Sequence, residues 1–198
     1  MLSRLEPIPR RSPLLAYVVG VALGDGNLSN PNGRATRLRI TCDAKYPMLA
    51  TKIRQSLRAL FPRNKVSVVW RAATYFDISC YSNQLESLLG WRVGKGTKVE
   101  QGIRVPDWIK SKEEYIISCL RGLMETDGTI YIDRGYWMVM FATAVPRLAA
   151  DAHDMIASLG FCPHTYCVRR PEAGRQIFHV RLSKNVRGFL NRVRPTKV

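Results

Sequence analysis

Val18-Val19-Gly20-Val21-Ala22-Leu23-Gly24-Asp25-Gly26 and Leu120-Arg121-Gly122-Leu123-Met124-Glu125-Thr126-Asp127-Gly128 are two copies of one pattern. Each reads as a mostly apolar helix with a small residue at every fourth position. These are Ala16, Gly20 and Gly24 in the first copy and Ser118, Gly122 and Thr126 in the second. Residues four apart share a helix face, so each set forms a stripe. Side chains this small let two backbones approach closer than the roughly 8–10 Å between the axes of ordinarily packed helices. The two stripes are therefore expected to face each other. One residue beyond each stripe stands an acid followed by glycine, Asp25-Gly26 and Asp127-Gly128, so the packed pair brings two carboxylates together at its C-terminal end. Like charges repel, and a helix C-terminus is already the negative end of a dipole. Ordinary folding does not reward that arrangement, so a divalent cation is expected to hold it, and hard oxygen ligands suit magnesium.

These residues resemble the LAGLIDADG homing endonucleases, in which paired helices form the central interface and the last acid of each motif binds catalytic metal. In the second copy Leu120, Gly122, Leu123, Asp127 and Gly128 fall on the pattern, with Glu125 replacing one acid and Thr126 a small residue. The first copy departs further: Leu23 stands where the family often has an acid, while Asp25 keeps the position the chemistry needs. The resemblance implies an α+β fold of two pseudo-symmetric αββαββα repeats packed on the central helices, with antiparallel sheets forming a DNA-binding saddle. It implies metal ligation by Asp25 and Asp127, completed by the backbone carbonyls of Gly24 and Thr126. Magnesium is the implied cofactor, with calcium binding but not supporting cleavage. In relatives a lysine near the connection into the second repeat often lies by the active site, a role that falls to Lys98 first and Lys95 second.

Composition bears on the partner. With 31 Lys and Arg against 15 Asp and Glu among 198 residues, the formal charge is +16. Such an excess suits a polyanion, and nucleic acid leads because Lys and Arg on phosphates displace condensed counterions. An anionic membrane surface would favour basic residues gathered on one amphipathic helix, whereas here they are spread along the chain. The apolar run Leu14 to Leu23 after Arg10-Arg11 is too short to span a bilayer, and its mid-chain copy argues against a signal peptide. Five cysteines in an odd, unpatterned set point to a reduced intracellular protein. Cys162-Pro163-His164 with Cys167 lacks a second half for a zinc site, and strand geometry would point the two thiols to opposite faces.

The chain divides into an arm over 1–13, repeats over 14–90 and 112–198, and a linker over 91–111 within a stretch holding Gly90, Gly94, Gly96 and Gly102. The first helix starts near Pro13, and Asn27 to Gly33 reads as a turn. Arg37, Arg39 and Thr41 alternate with Leu38, Ile40 and Cys42, a half-buried strand with a basic outer face. Pro47 opens a helix to Phe61; strands over Lys65–Trp70 and Tyr75–Tyr81 and a short helix Asn83–Leu89 complete the repeat. The second repeat carries strands Thr129–Asp133 and Tyr136–Thr143, a helix Pro146–Leu159, strands His164–Arg170 and Arg175–Ser183, and a helix Asn185–Val193.

Antiparallel ribbons of this width fit the major groove of B-DNA. Arg37, Arg39, Thr41, Tyr75, Asp77, Ser79, Arg169, Arg175, His179 and Arg181 are the outward residues expected to contact it. Tyr136, Met138 and Met140 replace the basic face in the second half, so the target is expected to be asymmetric. One chain carries both halves, so a monomer on double-stranded DNA is expected, without a membrane. The implied reaction is staggered double-strand phosphodiester hydrolysis leaving short 3′ overhangs. An RNA-splicing maturase acting on intron RNA is the first alternative. A non-catalytic DNA-binding regulator is the second, though it would have little use for both carboxylates. His153, in a helix, reads as structural, and Glu125, on another helix face from Asp127, as a cap or surface partner.

Overall fold

A computed structural model describes residues 9–31, 33–170 and 174–196. Most of the expected N-terminal arm, residues 1–8, lies outside these. The first helix, α1 (Pro13–Asp25), begins where Ser12 accepts a hydrogen bond on Oγ from the Leu15 amide and where proline occupies the first helical turn. Every residue from Leu15 to Leu23 is buried, so the body of α1 has no solvent face and only its ends reach the surface. Its counterpart α4 (Glu113–Thr126) follows a 3-10 turn over Asp107–Ser111. Glu113 and Glu114 lie in its first turn, at the positive end of the helix dipole.

Two four-stranded antiparallel sheets flank this pair. The first consists of β1 (Gly26–Ser29), β2 (Arg37–Asp43), β3 (Val66–Trp70) and β4 (Tyr75–Tyr81), in the order β1-β2-β4-β3. The second, from β5 (Gly128–Asp133), β6 (Tyr136–Thr143), β7 (His164–Arg170) and β8 (Arg175–Leu182), repeats that order as β5-β6-β8-β7. Helices α2 (Pro47–Leu60) and α3 (Leu85–Leu89) belong to the first half, and α5 (Pro146–Ser158) and α6 (Val186–Val193) to the second. The architecture is the α+β duplication expected.

One boundary differs. Residues 26–29 pair with β2 from Gly26 opposite Ile40 to Ser29 opposite Arg37, where a turn was expected to begin. Leu28 packs on the core, and that burial outweighs the turn preference of the surrounding Asn, Pro and Gly. Both central helices thus run straight into a strand.

A single apolar core continues from one half to the other through α1 and α4. At their contact a Cβ on Gly122 would lie 2.6 Å from the Val21 amide nitrogen, and one on Gly20 would lie 3.0 Å from the Cys119 carbonyl carbon. Unstrained carbon contacts need roughly 3.5–4.0 Å, so backbone meets backbone only because these positions lack side chains. The connection over 91–111 is anchored to the second half. Asp151, a buried polar residue of α5, accepts from the Val105 amide at 2.7 Å and from the Lys110 ammonium.

Candidate functional site

The close approach of α1 and α4 continues to their C-terminal ends. Asp25 is the last residue of α1 and is exposed; Asp127 caps α4 and is half-buried. A Cβ on Gly24 would fall 2.7 Å from Asp127 Oδ2, so the carboxylate of the second copy rests against the backbone of the first. The relation is reciprocal. Asp25 borders a cleft of about 610 Å³ shared with Thr126, Gly128 and Thr129 of the second repeat, along with Asp43 and Lys45. Asp127 borders a cleft of about 670 Å³ shared with Gly24, Gly26 and Asn27 of the first.

Lys98 joins this pair from the connecting segment. Its ammonium donates to the carbonyls of Ala22 at 2.9 Å, Leu23 at 2.9 Å and Gly24 at 2.6 Å, the last carbonyls of α1. Those groups are the negative end of the helix; Ala22 O also accepts from the Gly26 amide. The ammonium also lies 5.3 Å from the Trp91 ring centroid. Burial pushes the Lys98 pKa down to about 8, against the opposing pull of the Asp127 and Asp25 carboxylates. Lys95 is exposed on the same loop.

The donor set suits a hard divalent cation. Two carboxylates and adjacent backbone carbonyls supply oxygen only, and among the described residues no group of three or more His, Cys, Asp or Glu gathers as a metal cluster. Magnesium is typically held by one or two carboxylates, with water and substrate phosphate completing the shell. Gly24 O, one of the expected ligands, accepts from Lys98 but retains a second lone pair. The Thr126 hydroxyl turns back onto its own helix, to Gly122 O at 3.2 Å and Leu123 O at 3.0 Å.

Glu125 corrects the expectation of a surface partner. It is 1% exposed. Tyr17 Oη donates to Glu125 Oε2 at 2.6 Å, and Oε1 receives Lys52 Nζ at 2.7 Å, the Thr196 amide at 2.8 Å and the Thr196 hydroxyl at 2.7 Å. Burial pushes its pKa up, but these donors outweigh it and hold the pKa below the ordinary value of 4.5. The residue ties α1, α2 and the C-terminal segment to α4.

On the first sheet, Arg37, Arg39 and Thr41 occupy the face turned away from the core. Arg37 Nε donates to Ser29 Oγ at 3.1 Å, and the buried Arg39 Nε has no hydrogen-bond partner. Tyr75 is exposed. Asp77 and Ser79 require correction: they point to this face but are only 3% and 6% exposed. Arg71 Nε donates to Asp77 Oδ2 at 2.7 Å and Thr41 to Oδ1 at 2.9 Å. Burial raises the Asp77 pKa, but these hydrogen bonds and the Arg39 and Arg71 charges bring it below its usual value. Asp77 positions its neighbours instead of presenting itself.

On the second sheet, His179 and Arg181 share the corresponding face. Arg181 Nη2 donates to Asp133 Oδ2 at 3.1 Å, and the His179 ring stacks on Tyr166 at 5.1 Å. Arg169 does not join them. It lies opposite Gln176, in phase with the core residues Phe178 and Val180, so it belongs to the helix side of the sheet. Arg175 pairs with Arg170 through the backbone, and its side chain lies outside the described residues. His153, on α5, has its Nδ1 2.9 Å from Thr165 Oγ1. Cys162 and Cys167 are free and exposed. Among the described residues no helix is long and apolar enough to cross a membrane.

A family model described as the LAGLIDADG-like domain matches residues 114–194, the repeat built on α4. The second repeat is thus a LAGLIDADG-like domain. No curated protein sequence matches it. The LAGLIDADG fold extends over both halves: a structure of I-DmoI in complex with DNA and Mn aligns with a TM-score of 0.65 at 16% identity, covering 91% of this chain and 96% of that one. Full-length WhiA (DUF199) from Thermatoga maritima aligns with a TM-score of 0.63 at 13% identity, covering 94% of this chain and 57% of that one. The N-terminal LAGLIDADG domain of WhiA gives 0.60 at 14% identity, covering 94% and 85%. At these identities the likeness is one of fold.

Several residues around the LAGLIDADG helices were not singled out from sequence. Asp43 continues the outward alternation of β2, and that signal was available. Lys45, paired with Asp43 at 3.3 Å, and Lys52, on α2, carry no local mark of their neighbourhood to Asp25 and Glu125.

Proposed function

We propose that this chain is a divalent-metal-dependent DNA endonuclease that cuts both strands of a long, asymmetric duplex. The observation that carries the reading is the convergence of Asp127, Asp25 and Lys98 where the two LAGLIDADG helices end, between the two sheets. Mutual repulsion of the carboxylates, beside the negative ends of two helices, costs stability unless cations neutralise it. Lys98 supplies one positive charge, and the all-oxygen surroundings suit magnesium. Support also comes from I-DmoI, which has been solved with DNA and Mn, with DNA and Ca, and, as a G20S variant, with its target DNA in magnesium.

In this mechanism Asp25 and Asp127 would hold the metal, and the carbonyls of Gly24 and Thr126 would be further ligands. A divalent ion there would supply Lewis-acid activation of the phosphate and of water near neutral pH. Lys98 offsets negative charge at the scissile phosphates while keeping the end of α1 in place. Arg37 and Arg39 hold the duplex from the first sheet, and His179 and Arg181 from the second. The net charge of +16 supplies the long-range attraction. Since both repeats lie in one chain, one molecule suffices for both strands.

The test is selection of cleaved sites from a random duplex library in magnesium. Recovery of one asymmetric sequence with staggered ends is expected. Duplexes that are retained but never cut, in magnesium or in manganese, would reduce the protein to a DNA-binding regulator.

A further inference from the structure

The second sheet differs in chemistry from the first along the outward face of β6. From the Asp127 cleft outward, Ala142 and Ile177 give way to the half-buried Met140, with Val168 and Tyr166 on β7, while Met138 beyond it on β6 is buried. The cation described on this face, Arg181, is engaged by Asp133 and lies 3.4 Å from the Met138 sulfur. Met140 is fixed in turn: Tyr166 Oη donates to its sulfur at 3.7 Å, and His179 Nδ1 approaches the same atom. Tyr166 is stacked between His179 at 5.1 Å and His164 at 6.0 Å. The result is an apolar strip held in shape by an aromatic ladder and continuous with the proposed cutting centre. In the first sheet the equivalent ground carries Arg37 and Arg39.

We infer that the second repeat reads its half of the duplex through the 5-methyl groups of thymine, while the first repeat reads guanine. The inference rests on the proposed DNA-cutting function and names the chemistry of each half-site. In the major groove the thymine methyl is the apolar group that a base pair presents, and guanine offers the two acceptors that suit arginine. An apolar strip whose neighbouring arginine is already paired gains little from guanine. It gains by excluding water from a methyl group. Adaptable thioethers are suited to such contact, and here the sulfur of Met140 is held by its neighbours.

The experiment uses the full chain and duplexes selected by retention in calcium, so cutting is not required. Thymine is expected to be enriched in one half of the recovered sites and guanine in the other. Selection with Arg39→Ala should relax base preference only in the guanine half, which assigns each half to its repeat. The recovered duplex is then resynthesised with uracil for thymine, which removes the methyl and leaves the hydrogen-bonding edge intact. Affinity should fall about fourfold for each methyl facing the second repeat, the value of burying one such group. It should be unchanged for thymines facing the first repeat. Met140→Ala should reduce that discrimination at its own base step without altering the dependence on salt. Equal uracil penalties in both halves, or none in either, with the duplex still tightly bound, would overturn this inference alone. Retention of no duplex at all would overturn the proposed function together with it.

Discussion

Helices α1 and α4 carry the same stripe of small residues, yet Leu23 in the first stands where Glu125 stands in the second. Both side chains are sealed from solvent, at 2% and 1% exposure. Leu23 satisfies that depth by being apolar. Glu125 does so by accepting hydrogen bonds from Tyr17, Lys52 and Thr196, three partners from three distant segments. The small-residue stripes are alike because backbone contact leaves both helices no choice. One residue off the stripe the duplicated positions are free to diverge, and a charge stands at Glu125 where Leu23 has none. The sheets diverge in the same way: β2 carries Arg37 and Arg39 on its outward face where β6 carries Met138 and Met140.

The symmetric part of this comparison predicts the largest effect. Gly20→Val and Gly122→Val each put side-chain atoms where the opposite backbone lies, and each should cost about 3 kcal/mol or prevent folding. Urea denaturation should rank the two alike; a tolerated substitution in one helix only would break the equivalence. The asymmetric part predicts less. Glu125→Leu, which copies the first repeat into the second, should cost about 2 kcal/mol because the Tyr17 hydroxyl and Lys52 ammonium lose a buried acceptor. Adding Tyr17→Phe should recover part of that loss in a double-mutant cycle, and strict additivity would deny the coupling.

The same carboxylate gives the stability a pH dependence of known sign. Its folded-state pKa lies below the ordinary 4.5, so as the pH falls the unfolded chain takes up the proton first. The contribution of Glu125 is complete above 4.5 and is lost as the pH falls through the folded value. Stability of Glu125→Gln should therefore decline less on acidification than that of the parent, measured by denaturation across that range. The smallest effect expected is on the sheets. Arg37→Ala should lower the slope of log affinity against log salt by about 1, and Arg181→Ala by less, since Asp133 already neutralises it. Equal slopes for the two variants would remove the contrast between the faces.

Much of this was legible in the sequence, and the exceptions have physical reasons. The helix pair is written locally: spacing of four, small residues, then acid and glycine. Strand alternation gave the outward face of β4 but could not show Arg71 and Thr41 from neighbouring segments closing over Asp77. Strand β7 has polar residues on both faces, so no apolar phase reveals that Arg169 lies on the side opposite His179. Strand β1 is four residues long and surrounded by turn formers, and only pairing with β2 defines it. Glu125 shows the general limit. Its helical angle excluded it from the stripe, but its partners come from α1, α2 and the C-terminal segment, which no local pattern joins.

The paired carboxylates remain the centre of the account, and cleavage by the double variant Asp25→Asn and Asp127→Asn tests them most directly. The duplex recovered by selection is incubated in magnesium and each strand is followed separately, with binding in calcium measured on the same preparations. We predict that neither strand is cut and that the duplex is bound as tightly as by the parent protein. Cutting that persists in the double variant would contradict the assignment of the metal and of the reaction to these two residues.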